Sequence, residues 1–382
     1  MRKVYLDHAA TTPLAKEVLE AMEPFFSEKF GNASSLHFFG REARDAIEKA
    51  RNEIAKFINA KPAEIIFTSG GTESDNLALK GVAFASKDKG NHIITTKIEH
   101  PAILETCKWL EKQGFKITYL PVTKEGLVEP ESVEKAITKD TILVSVMHAN
   151  NEIGTIQPIE EIAKICKKHK VLFHTDAVQT FGKLDIDVKK MNVDLLSASA
   201  HKIYGPKGVG LLYVSKDVKI EALQHGGGHE QNIRSGTENV AGIVGFAAAV
   251  KLMQKLGKKE QERERKLRDL LISKILEIKD SRLNGSKEKR LPNNVNVSFK
   301  GVEGEALLLR LDQEGFAVST GSACSSRSLE PSHVLIAIGL KPEEAHGSLR
   351  ITLGKDTTEQ DIEKFLNVLP KIVASLRKIS PF

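Results

Sequence analysis

The chain has 382 residues, 41% hydrophobic and 28% charged, the mixture of a folded globular protein and not of a disordered or fibrous one, and long enough for a large unit with a smaller partner. Its net charge of +6 arises from Lys and Arg interleaved with Glu and Asp, as in KLGKKEQERERKLRD, which describes a solvated helix face and argues against a nucleic-acid surface. The three cysteines, Cys107, Cys166 and Cys324, match neither a disulfide framework nor CxxC metal spacing.

From the start of the chain, MRKVYLDHAATTP lacks an apolar core long enough for a signal peptide, so a cytoplasmic location is expected. Strands are expected at EIIFT from Glu64, HIITT from His92, KITYLPV from Lys116, TILVSVM from Thr141, VLFHTD from Val171, DLLSAS from Asp194 and VGLLYV from Val209. Short apolar runs with helical connections predict a buried, mostly parallel sheet. The last two are joined by a turn, which predicts one antiparallel pair near the sheet's edge. The apolar run from Val240 to Val250 is well short of the roughly 20 residues that span a membrane. A charged helix from about Lys251 to Lys279 follows, then a smaller α+β unit with strands at NVNVSF, FAVST and SLRITL.

Open parallel sheets bind ligands beyond the carboxyl ends of their strands. EIIFT is followed by Gly70, Gly71 and Thr72 ahead of a helix near Glu73, which reads either as an anion cradle or as a plain N-cap turn. HIITT is followed by His100, TILVSVM by Asn150 and Asn151, VLFHTD ends at Asp176, ahead of Gln179, and DLLSAS ends at Ser199, ahead of His201 and Lys202. Singly, a histidine there is structural and a lysine is a salt-bridge partner. Together they fit pyridoxal phosphate, whose chemistry needs an amine for a Schiff base, an anion cradle, and a carboxylate to keep the pyridine nitrogen protonated.

Cys324 sits in STGSACSSRS, whose Gly, Ser and Ala content predicts an exposed, mobile loop. On those residues alone it reads equally as a moving nucleophile or as a free surface cysteine. Cys107 and Cys166 lie at apolar spacing in helical patterns, which points to core packing. His225 and His229 are four residues apart, but the glycines between them exclude a metal-binding helix and predict a turn.

In their order, YLDHAATTP, FGNASSLH, FTSGGTESDNLAL, EHPAIL, HANNEIGTIQPI, HTDAVQTFGK, SASAHKIYGPKGVG, HGGGHEQNIRSGTEN and STGSACSSRSLEPSHVL resemble the cysteine desulfurases of the NifS/IscS type, within the class-V aminotransferase family. The resemblance covers nearly the whole chain. It implies the α/β, PLP-dependent transferase fold of type I. Residues 16–255 would form a large PLP-binding domain with a mostly parallel seven-stranded sheet, and residues 1–15 and 256–382 a small α+β domain carrying the catalytic cysteine loop.

The implied reaction converts L-cysteine to L-alanine on a homodimer, with sulfur transferred as a persulfide to Cys324. Lys202 would form the Schiff base and move the Cα proton. Asp176 would hold the pyridine N–H, Gln179 the ring hydroxyl, and His100 would stack on the ring and assist proton transfer. Gly71, Thr72, Ser199 and His201 would hold the phosphate, together with Thr237 from the neighbouring subunit. Asn151 would contact cofactor or substrate, and Arg350 would pair with the substrate carboxylate, a contact suited to a planar guanidinium. The SGSAC form of the cysteine loop is similar to that of the group supplying iron–sulfur cluster assembly. A scaffold protein is therefore the expected sulfur acceptor, with no resident metal and Cys324 at most a transient cluster ligand. A selenocysteine lyase or an aminotransferase on the same fold is the rival expectation.

Overall fold

After a two-residue strand β1 (Val4–Tyr5), seven short apolar runs build the main sheet of the computed structural model, which describes residues 3–320 and 331–379. They are β2 (Ile65–Thr68), β3 (His92–Thr96), β4 (Lys116–Leu120), β5 (Thr141–Ser145), β6 (Leu172–Asp176), β7 (Leu195–Ser199) and β8 (Gly210–Val214). Their spatial order is β2-β8-β7-β6-β5-β3-β4. The turn-linked β7 and β8 pair antiparallel as expected, but β2 then pairs outside β8, adding a second antiparallel ladder. Adjacency along the chain could not reveal that partner, which comes from far upstream.

Both faces of this sheet are covered, so its strands are apolar on both sides. On one face Phe67, Phe173, Leu196 and Leu211 meet residues of α1 (Lys16–Met22), α3 (Phe38–Phe57), α6 (Pro130–Ala136) and α7 (Ile159–His169), while the one-turn α2 (Pro24–Ser27) buries no residue. On the other, Ile66, Leu195 and Leu212 pack on α4 (Gly71–Ala85) and α5 (Pro101–Lys112). The alternation of side chains along each strand assigns successive residues to the two faces.

A second core surrounds a three-stranded antiparallel sheet, β12-β10-β9, made of β9 (Ser281–Leu283), β10 (Asn294–Phe299) and β12 (Ser348–Thr352). The long helix α8 (Val240–Ile275) serves both cores: Ile243, Phe246 and Val250 enter the first, Leu267, Leu271 and Ile275 the second. It is interrupted between them at Gly257, where φ is 57° and ψ is −158°, a conformation open only to glycine. This helix begins well before the charged run. Its apolar start belongs to the core, and it is the one described helix long and apolar enough in some window to cross a membrane, with half of that window buried in the protein.

α9 (Gly304–Gln313) and α12 (Glu359–Ile379) close the second core, which also takes Val4 and Leu6 from the start of the chain. There β1 lies parallel to β11 (Phe316–Ala317). The short helices α10 (His333–Ala337) and α11 (Pro342–His346) pack through Val334, Leu335, Ile338 and Ala345 on Ile98, Met147 and Ile153, which follow β3 and β5.

Candidate active site

Parallel strands β5, β6 and β7 finish at one edge, and the residues after them meet there. β7 passes directly into a tight turn, Ala200–Lys202. Gly205 closes that turn against Ala200, where a Cβ would stand 2.8 Å from the Ala200 carbonyl oxygen. Lys202 is thereby delivered at the strand end. β6 ends at Asp176, whose Oδ1 accepts the Val178 N–H at 2.8 Å. Val178 in turn lies against the start of α4: a Cβ on Gly71 would be 2.7 Å from its Cγ2. The acid and the helix start are therefore locked together through a contact that only glycine permits.

The N-cap of α4 is Gly70, with φ 154° and no side chain to cap the helix. The first N–H groups of α4 are left for an anion, on the positive end of the helix dipole. Ser199 lines the same place, its Oγ being the nearest atom, at 3.9 Å, to a Cβ built on Gly70.

Residues 7–12 cross this strand edge as a strap. Lys202 Nζ donates to the carbonyl oxygens of Ala9 and Ala10 at 2.6 and 2.7 Å. Gln179 Nε2 donates to Ala9 O at 3.0 Å. Thr12 donates through N–H and Oγ1 to His201 O at 2.9 and 2.8 Å, and Thr11 Oγ1 lies 3.0 Å from His201 Nδ1. Asp7 Oδ1 accepts from Arg350 Nη2 at 2.7 Å. One short segment thus touches four of the expected site residues, and the strand-end rule did not find it because it follows no strand of the main sheet. The available signal was the polar, small-residue run DHAATT.

Burial sets the protonation states. His100 caps α5, its Nδ1 accepting the Ala102 N–H at 3.1 Å. Burial, then the neighbouring Lys202 ammonium, push it down to about 4, and the same two causes bring His201 to about 4. Both imidazoles are neutral at neutral pH. Burial pushes the Asp176 carboxyl up to about 6, against the Val178 N–H and Lys202. Behind it lies Asp75, which sequence reasoning passed over. It is held well above the carboxylate range by burial and by Asp176, with His174 Nε2 3.7 Å from its Oδ1.

The remaining candidates divide. Asn151 gives its backbone carbonyl to Arg350 Nη1 at 3.2 Å, while the Asn150 side chain is spent on Ile98 O and on the N–H groups of Glu152 and Ile153. Thr237 is exposed in a surface cleft with Asn32, Ser34, Gly228 and His229, whose lining does not include Lys202. Cys324 lies outside the described residues. The chain before it is held by Ser319, whose backbone exchanges hydrogen bonds with Arg350 at 3.1 and 2.7 Å. The chain after it is held by Ser332, which caps α10 and donates from Oγ to the buried Glu152 carboxyl. Cys107 and Cys166 are buried as expected, burial pushing the Cys166 thiol up to about 12 and Cys107 higher still.

This donor set fits pyridoxal phosphate. A helix start held open by glycine suits the phosphate, a buried carboxyl suits the ring nitrogen, and a lysine stands at the adjoining strand end. Comparison with known proteins points the same way. The family model Aminotransferase class-V matches residues 4–365. The chain is similar to the cysteine desulfurase IscS of Dictyoglomus turgidum, 61% identical over 382 residues, covering 100% of this chain and 97% of that protein. Among solved structures it is similar to a NifS-like protein, at TM-score 0.92 and 43% identity over 98% of this chain and 100% of that one. It is also similar to SspA in complex with cysteine, at TM-score 0.81 and 42% identity over 91% of this chain and 98% of that one.

Proposed function

The chain belongs to the class-V aminotransferases and, within them, to the cysteine desulfurases, and from that membership we propose how its residues share the reaction. The enzyme depends on pyridoxal 5'-phosphate, which when bound supplies an electron-withdrawing pyridinium ring next to the substrate's Cα. Lys202 supplies the amine that anchors the cofactor and moves the proton at Cα. With the cofactor bound, Asp176 would keep the ring nitrogen protonated, Gln179 would hold the ring hydroxyl, and the neutral imidazole of His100 would stack on the ring and relay protons. Gly71, Thr72, Ser199 and His201 hold the phosphate together with Thr237 of the partner subunit. Asn151 contacts cofactor or substrate, and Arg350 receives the substrate carboxylate.

Cys324 completes the sulfur transfer. Its thiolate attacks Sγ of the bound L-cysteine, a sulfur–sulfur bond forms as Cβ–Sγ breaks, and the electron pair released to Cβ takes a proton to give L-alanine. The persulfide on Cys324 then passes to a scaffold protein of iron–sulfur cluster assembly. The enzyme works as a cytoplasmic homodimer; the dimer is supported by the exposure of Thr237 in a surface cleft whose lining does not include its own chain's Lys202. Its division into a large unit (16–255) and a small unit (1–15 with 256–382) is supported by the separate cores joined through α8.

The observation that carries the assignment of roles is the meeting, at one sheet edge, of Lys202 after β7, Asp176 at the end of β6 and the glycine-started helix α4. The test is to add L-cysteine to the purified protein and quantify alanine and sulfide for wild type, Lys202→Ala and Cys324→Ala. The expected result is cofactor absorbance and turnover in wild type, loss of turnover in Lys202→Ala, and loss of sulfur transfer in Cys324→Ala. Transamination that survives Cys324→Ala would overturn the sulfur step, and turnover that survives Lys202→Ala would overturn the site.

A further inference from the structure

Arg350 is 2% exposed and lies on β12, yet among the described residues its guanidinium has only two acceptors: Asp7 Oδ1 on Nη2 at 2.7 Å and Asn151 O on Nη1 at 3.2 Å. Nε is buried and meets no acceptor among the described residues. A buried guanidinium demands a counter-ion, and its planar fork is best matched by two parallel bonds to one carboxylate. Asp7 supplies only a single oxygen. Its side chain is 18% exposed where that of Arg350 is 2% exposed, so the acid can turn to water and the base cannot. The other carboxyl nearby, Glu152, is engaged by Ser332 Oγ.

We propose that Asp7 is an internal rival of the substrate: it neutralises Arg350 in the resting enzyme and gives way to the carboxylate of the incoming amino acid. The inference deepens the assignment of Arg350 to the substrate carboxylate and rests on it. Asp7 thereby sets both affinity and selectivity. A thiol without a carboxylate cannot displace it, whereas an amino acid exchanges one counter-ion for a better-matched one. The position of Asp7 suits this exchange, because its backbone is held while its side chain is only partly covered. Tyr5 Oη donates to Asp7 O at 2.9 Å, and Asp7 bridges to Thr352 beside Arg350.

The experiment compares wild-type holoenzyme with Asp7→Asn, which keeps the shape and removes the charge, and with Arg350→Lys. Two readouts are taken: KM and kcat for L-cysteine, and, independently of turnover, calorimetric binding of 3-mercaptopropionate as a carboxylate probe. Removing the rival should tighten both KM and probe binding by about three- to tenfold, with kcat/KM rising accordingly. Arg350→Lys should weaken both. A residue that merely positioned Arg350 could only weaken binding when replaced, so unchanged or weaker binding in Asp7→Asn, beside weakened binding in Arg350→Lys, overturns the proposal. Unchanged binding in Arg350→Lys overturns instead the carboxylate assignment beneath it. Should Asp7→Asn fold poorly, Asp7→Ser removes the same charge and must give the same tightening.

Discussion

Glu99, next to His100, shows how burial rather than contact decides charge at the residue scale. Its Oε1 accepts from Thr96 Oγ1 at 2.8 Å and from the Met147 N–H at 3.0 Å, while Oε2 is buried with no partner among the described residues. Burial pushes the carboxyl up to about 8. Its folded value lies above its unfolded one, so the stability it contributes is complete below the unfolded value and is lost as pH rises through about 8. Glu99→Gln keeps the acceptor and removes the titration. Its melting temperature relative to wild type should therefore rise by ~3 °C between about pH 5 and about pH 9, and a difference independent of pH would refute this. His100 gives a second check. Replacement by Ala should lower kcat by about 10²–10⁴-fold, the usual worth of a positioned acid–base group. The positions of Lys202, Asp176 and Gln179 at the strand edge were legible in the sequence because each stands at the end of, or shortly after, a recognisable strand. Asp7 was not, because its partner Arg350 is 343 residues away and nothing local to either residue announces the pair.

At the scale of elements, the seven strands of the main sheet were legible to within a few residues, since apolar runs buried on both faces leave a plain signal. β1 and β9 were missed: they have two and three residues and are partly exposed, and β1 is a strand only by virtue of a partner more than 300 residues away. The junction of β6 with α4 yields a sharper expectation. Gly71→Ala drives a methyl against Val178 and so disturbs both the helix start and the loop that holds Asp176. Cofactor affinity measured by equilibrium dialysis should fall at least tenfold, the equivalent of about 1.4 kcal/mol; unaltered affinity would show that the helix start is not part of the cofactor site. The other end of the sheet depends on a buried ion pair. Arg51 on α3 donates from Nη1 and Nη2 to Glu230 at 2.8 and 2.7 Å, and Glu230 also accepts the Phe67 N–H of β2 at 2.8 Å. Arg51→Ala strands a buried carboxylate, and urea unfolding should register a loss of about 3–5 kcal/mol.

For the whole molecule, two connections hold the two cores in register: α8, broken at Gly257, and the strap of residues 7–12. Gly257→Ala meets no steric obstacle, since nothing lies within 4 Å of its Cβ position, so its cost isolates the backbone conformation. A destabilisation of about 1–3 kcal/mol is expected from denaturant titration, and a neutral result would mean that the helix can straighten without moving the cores. The strap also governs biosynthesis. A ribosome delivers Asp7 early and Arg350 only 343 residues later, and Lys202 finds the carbonyls of Ala9 and Ala10 across 193 and 192 residues. Domains fold as they emerge, N-terminal parts first. The large sheet can therefore be complete while the first residues of the chain still wait for the last strand. No fragment released before β12 can pair Asp7 with Arg350, so a product truncated after β8 but before β12 holds Lys202 and Asp176 but not the ion pair that ties the two ends of the chain together.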